Sequence, residues 1–248
     1  MSAFFTLWRR ELAAYFLSPI AYVMMMFFLV IMGFSFWLLA NVLAGGVEGV
    51  PLMRELFDSF FFWITTLTLV PVLTMRLFAE EKRSGTIEML MTAPVSDTAV
   101  VLAKYCGALS IYVAIWAPTV LYVLILRWFS PLSAPPDLGP IATSYLGALL
   151  IGAFYLAIGL FCSAMTRNQI VAAIACFALL SVLFFGGFIA FISRVDTVRE
   201  VANYFCSLSH MREFARGAVD SRPVVYYLSG AALMLFGTVK LVKARKWK

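Results

Sequence analysis

Six long stretches of apolar sequence constrain this chain more than anything else in it. They fall at residues 20–44, 57–77, 105–127, 145–165, 170–192 and 224–242. A hydrocarbon layer about 30 Å thick takes roughly 20 apolar residues to cross as a helix. Inside lipid only helices and closed barrels satisfy every backbone polar group. A barrel would show short segments alternating every second residue, and these runs are long and unbroken. Composition agrees, since 63% of the 248 residues are apolar and only 13% are charged. No soluble core of this length hides that much apolar side chain. The expected fold is an all-α polytopic membrane protein, with residues 1–248 forming one transmembrane domain of six spans. The fourth and fifth spans are joined only by Thr166, Arg167, Asn168 and Gln169, a tight hairpin.

Residues 2–17 have a different pattern. Phe4, Phe5, Trp8, Leu12, Tyr15 and Phe16 share one side of a helix, with Thr6, Arg9, Arg10 and Ala13 around the other. That is an amphipathic helix lying in the membrane interface, closed by Ser18 and Pro19. The plainer alternative is an early start to the first span. A cleavable signal is not expected, because the apolar stretch is too long and no small-residue cleavage pattern follows.

Lysine and arginine placement sets the orientation. With the N-terminus inside, twelve basic residues fall on the inner side and seven on the outer, and every lysine is inside. Both ends of the chain are therefore expected in the cytoplasm. The net charge of +6 needs no nucleic-acid partner, because inner basic residues anchor against anionic lipid.

Several chemistries lack their residues. Cys106, Cys162 and Cys176 fall inside spans and only Cys206 reaches the outer side, so no disulfide framework is implied. There is one histidine, His210, and no HExxH or CxxC, so neither a metal nor another cofactor is expected. No lysine follows a glycine, which rules out the phosphate-cradling loop GxxxxGK[ST]. His210 in an outer segment is poorly placed to activate a serine such as Ser35 or Ser110. The spans carry almost no charge, with Asp58, Arg76 and Arg127 near span ends. Ion-coupled carriers keep ionisable groups at mid-membrane. Pro71 and Pro118 read as kinks. The chain is not expected to be an enzyme or to carry its own energy source.

Two polar segments remain. The inner one, FAEEKRSGTIEMLMTAPVSDTAVVLAK from Phe78 to Lys104, breaks at Ser84 and Gly85. A short helix over 86–92 then puts Ile87, Leu90 and Met91 on one face and Glu88 on another. Ala93 and Pro94 end it, and Ser96 with Asp97 caps a fresh helix into the third span. Such a helix suits a partner's groove; the alternative is an ordinary surface loop. The outer segment, 193–223, carries Val195, Val198, Val201, Ala202 and Phe205, then Met211, Phe214, Ala215 and Ala218. Two short amphipathic helices split near 207–209 fit that spacing, and by themselves would lie flat on the membrane.

The string EEKRSGTIEMLMTAPVSDTAVVLAKY closely resembles the stretch between spans two and three of ABC-transporter permeases of the type-2 exporter class. Within that class it looks most like the gliding-motility-associated and nitrous-oxide-reductase-maturation permeases. The outer string SLSHMREFARGAVDSRPVVYYLSG also resembles the family, where it implies helices that dip back into the outer leaflet, and the likeness runs the length of the chain. It implies that the inner segment is a coupling helix docking on a separate ATPase subunit. Glu80, Glu81, Lys82, Arg83, Ser84, Gly85, Thr86, Ile87 and Glu88 match the coupling motif. Gly85 would allow the sharp turn. Ile87, Leu90 and Met91 would fill the ATPase groove. Glu80, Glu81 and Arg83 would pair around its rim, while Lys82 would be a solvated charge that assembly does not need. The implied partners are two ATPase copies, a second permease (itself or a sister subunit), membrane lipid and, where force is transmitted, a periplasmic protein. The implied location is the bacterial inner membrane. Translocation and force transmission both stay open, and the reading from another class is an ATP-independent carrier or channel.

Overall fold

The structure, a computed structural model, describes residues 3–44, 52–86, 95–129, 137–192 and 195–245. Every regular element among them is helical: α1 (Ala3–Phe16), α2 (Pro19–Ala44), α3 (Leu52–Asp58), α4 (Phe60–Thr74), α5 (Arg76–Ser84) and α6 (Asp97–Trp116). A 3-10 turn (Ala117–Thr119) leads to α7 (Val120–Phe129), α8 (Leu138–Met165), α9 (Gln169–Gly186) and α10 (Ile189–Ile192). The chain continues through α11 (Asp196–Phe205), α12 (Ser207–Ala215) and α13 (Ser221–Arg245). Six helical stretches among the described residues are long and apolar enough to cross a membrane, one at each expected span.

α8 is the hub, packing on α13, α9, α12, α4, α5 and α6. Small residues make that crowding feasible, as is general where helices meet in lipid. Gly147 faces the Phe214 ring, Gly152 the Tyr112 ring and Gly159 the Thr74 side chain. α8 buries most of its side chains. α2, α9 and α13 instead expose apolar faces, including Met26, Trp37, Ile174, Val182, Leu233 and Phe236. That belt is too extensive for water and suits lipid or a partner chain. Inside the bundle, Thr65, Thr66 and Thr74 return their hydroxyls to the carbonyls of Phe61, Phe62 and Val70. Their polar atoms are thereby satisfied within the helix itself.

The spans are interrupted where neighbours intrude. Pro118 sits in the 3-10 turn between α6 and α7. The fifth span, expected to reach residue 192, ends as α9 at Gly186. Cys206 occupies the space beside Gly187, where a Cβ would lie 2.6 Å from its Sγ. The second span breaks at Met75, four residues past Pro71. Ser163 of α8 fills that break. Its hydroxyl donates to the Met75 carbonyl (3.1 Å) and accepts from the N–H groups of Phe78 (3.1 Å) and Ala79 (3.2 Å). A helix can start afresh at such depth because another span supplies its first partners.

Candidate functional site

α5 carries the first half of the inner polar segment. Its sequence RLFAEEKRS is strongly two-sided: Leu77, Phe78 and Ala79 are buried, whereas Arg83 and Ser84 are exposed. Gly85 ends it in the left-handed region, at φ 74°, a conformation other residues adopt at a cost. Across the segment, Ser96 caps α6 by accepting from the Ala99 N–H at 3.3 Å.

Between α5 and α6 lies a buried ion cluster. Lys104 Nζ donates to Glu81 Oε1 at 2.7 Å and to Glu11 Oε1 at 3.0 Å, and the lysine side chain is only 3% exposed. Arg10, on the rim, reaches Glu11 at 3.2 Å and Glu81 at 3.5 Å. The Phe78 ring lies 5.3 Å from the ammonium and completes its surroundings. Three helices (α1, α5 and α6) thus meet on one lysine.

Local sequence explains how α1 comes so close. Glu11 stands in the apolar stripe between Trp8 and Tyr15. Opposite it is Gly107, where a Cβ would lie 3.0 Å from the Glu11 Cβ. Trp8 Nε1 donates to Ser110 Oγ at 3.3 Å. Tyr15 donates its hydroxyl to the Leu73 carbonyl at 2.6 Å, and burial pushes that phenol up from its ordinary value. Arg76 holds Glu80 through two nitrogens (2.9 and 3.3 Å) and donates to Ser18 Oγ at 3.2 Å. The turn between α1 and α2 is thereby tied to α5.

Several expected site residues have different surroundings from those the sequence suggests. Glu80 and Glu81, read as rim charges for a partner, are engaged by Arg76, Lys104 and Arg10 of their own chain. Lys82, read as solvated, is buried, and its ammonium donates to the Ala164 carbonyl at the end of α8. A cation there offsets the negative end of the helix dipole. Arg83, Gly85 and Thr86 are exposed. Ile87, Glu88, Leu90 and Met91 lie outside the described residues, as does the short helix expected over 86–92 beyond Thr86. Glu11 was missed altogether. The available signal was a carboxylate set among aromatics at helical spacing.

The opposite end holds the outer segment. It splits at Cys206, one residue before the expected site, into an exposed α11 and a buried α12. α12 does not lie flat. Ser207 accepts from the Tyr155 hydroxyl at 3.0 Å, just past the midpoint of α8, and the Phe214 carbonyl accepts from Thr143 near its start. α12 therefore runs lengthwise beside a span. Arg212 Nε donates to both oxygens of Asp58, at 2.9 and 3.0 Å, fastening α12 to α3. His210 Nδ1 lies 3.0 Å from the Tyr227 hydroxyl.

A sequence model of the family described as ABC-2 family transporter protein matches residues 69–203, from α4 into α11. No curated protein matches the chain.

Proposed function

The chain belongs to the ABC-2 family of transporter proteins and is a membrane-embedded, multi-pass permease component of an ABC transporter, and from that premise we propose how it is driven. Residues 80–91 receive the stroke of a separate ATPase subunit, and the ion cluster distributes it among the spans. Ile87, Leu90 and Met91 enter the ATPase groove, and Glu88 meets a basic group within it. Arg83 and Thr86 line its rim, while Gly85 turns the chain toward it. One observation carries the reading: Lys104 is held by Glu81 of α5 and Glu11 of α1 together. A push on the segment enters α5 at one end and α6 at the other. It reaches α1 through Glu11 and α8 through Lys82 and Ser163.

The complex holds two ATPase copies and a second permease, itself or a sister subunit, in a bacterial inner membrane with both chain ends in the cytoplasm. The likeness of residues 80–105 to the gliding-motility-associated and nitrous-oxide-reductase-maturation permeases supports either translocation or force passed to an outer partner. The test is co-purification with the ATPase. Each apolar anchor buries on the order of 2 kcal/mol of contact at the usual area coefficient. Leu90→Asp should release the ATPase, and Arg83→Ala should leave assembly nearly intact, because exposed charges contribute little. Normal assembly and full activity of Leu90→Asp would overturn the docking assignment.

A further inference from the structure

A cavity of about 800 Å³ among the described residues opens between α1 and the α4–α5 break, and its volume is that of a small-molecule site. Its two walls share one polarity gradient. Along α4 and α5 the wall passes from Val72 and Leu73 through Arg76 and Glu80 to Ser84. On the other wall it passes from Ile20 and Ala21 through Ser18 to Glu11 and Arg10. Both apolar ends belong to spans, and both polar ends belong to the elements that leave them, where Leu7, Leu77 and Val95 also line the cavity. Water filling this space would wet an apolar wall at one end. A molecule with an apolar tail and a charged head would match both ends.

The charges narrow the head. Arg10, Arg76 and Lys104 line the cavity against Glu11, Glu80 and Glu81, so the lining is neutral overall. Lys104 is enclosed by its two carboxylates. Arg10 is 55% exposed and held only by contacts of 3.2 and 3.5 Å, and Glu80, though paired with Arg76 at 2.9 Å, is 46% exposed. The mouth therefore presents one adjustable guanidinium and one accessible carboxylate. A phosphate suits the first and an ammonium the second. An anionic head without an amine would add an uncompensated negative charge to this neutral lining.

We propose that this cavity holds a zwitterionic phospholipid of the adjoining leaflet, its phosphate on Arg10, its ammonium on Glu80 and an acyl chain along Ala21 and Leu73. The lipid wedges α1 against α5 beside the ion cluster. The proposal rests on the cavity alone and stands apart from the ATPase assignment.

The test is native mass spectrometry of the full chain extracted from bilayers of equimolar phosphatidylethanolamine and phosphatidylglycerol. The wild type should retain phosphatidylethanolamine in preference. Ala21→Trp fills the apolar end without touching a charge and should lower retention about tenfold. Arg10→Ala changes an exposed side chain and should lower it comparably, so the test survives if the tryptophan variant fails to insert. Melting temperatures matched to wild type control for folding. Equal or preferred retention of phosphatidylglycerol, or undiminished retention by folded Ala21→Trp or Arg10→Ala, would overturn the proposal.

Discussion

Lys104 Nζ stands 2.7 Å from Glu81 Oε1, and these two residues bracket the segment that joins α5 to α6. The pair closes the base of that segment. Because Glu11 shares the same ammonium at 3.0 Å, α1 is drawn into the same unit.

Removing the shared cation tests this unit. A buried ion pair adds little over an apolar replacement, but breaking one by deleting a single partner costs about 3–5 kcal/mol. Lys104→Met should therefore lower the melting temperature in detergent sharply, because it leaves two carboxylates with only the exposed Arg10 as a partner. Adding Glu81→Gln removes one of them and should recover part of the loss, a non-additive result. A Lys104→Met chain that melts like the wild type would show that the cluster does not bind the helices together.

Orientation has a direct chemical test. Arg83, Lys243 and Glu200 are all exposed. Cysteines at 83 and 243 should react with an impermeant maleimide only from the cytoplasmic side, and a cysteine at 200 only from outside. Lys82 would be a poor probe because its ammonium is buried on the Ala164 carbonyl. Outside labelling at 83 would invert the topology and detach the ATPase assignment with it.

The contact between the second and fourth spans turns on a missing side chain. A Cβ at Gly159 would collide with the Thr74 side chain, whose hydroxyl is committed to the Val70 carbonyl. Gly159→Ala should cost about 1–3 kcal/mol through overpacking. Thr74→Ala in the same chain should relieve part of it, measured as partial recovery of the melting temperature. Simple additivity of the two would mean that the helices do not meet there.

Much of the fold was legible in the sequence because lipid imposes local rules. Length and apolarity alone locate six spans, and Ser96, Gly85 and Pro118 mark a cap, a stop and a break through their own backbone chemistry. What only the tertiary structure decided is where polar atoms find partners. The break at Met75 stands because Ser163, far along the chain, fills it, and Cys206 packs beside Gly187 where the fifth span stops. Lys82 and Glu81 are neighbours with the same local character as any surface pair. One is buried on α8 and the other, half-buried, is held by Lys104, since helix packing, which depends on residues distant in sequence, sets which charges lose water and must be paired.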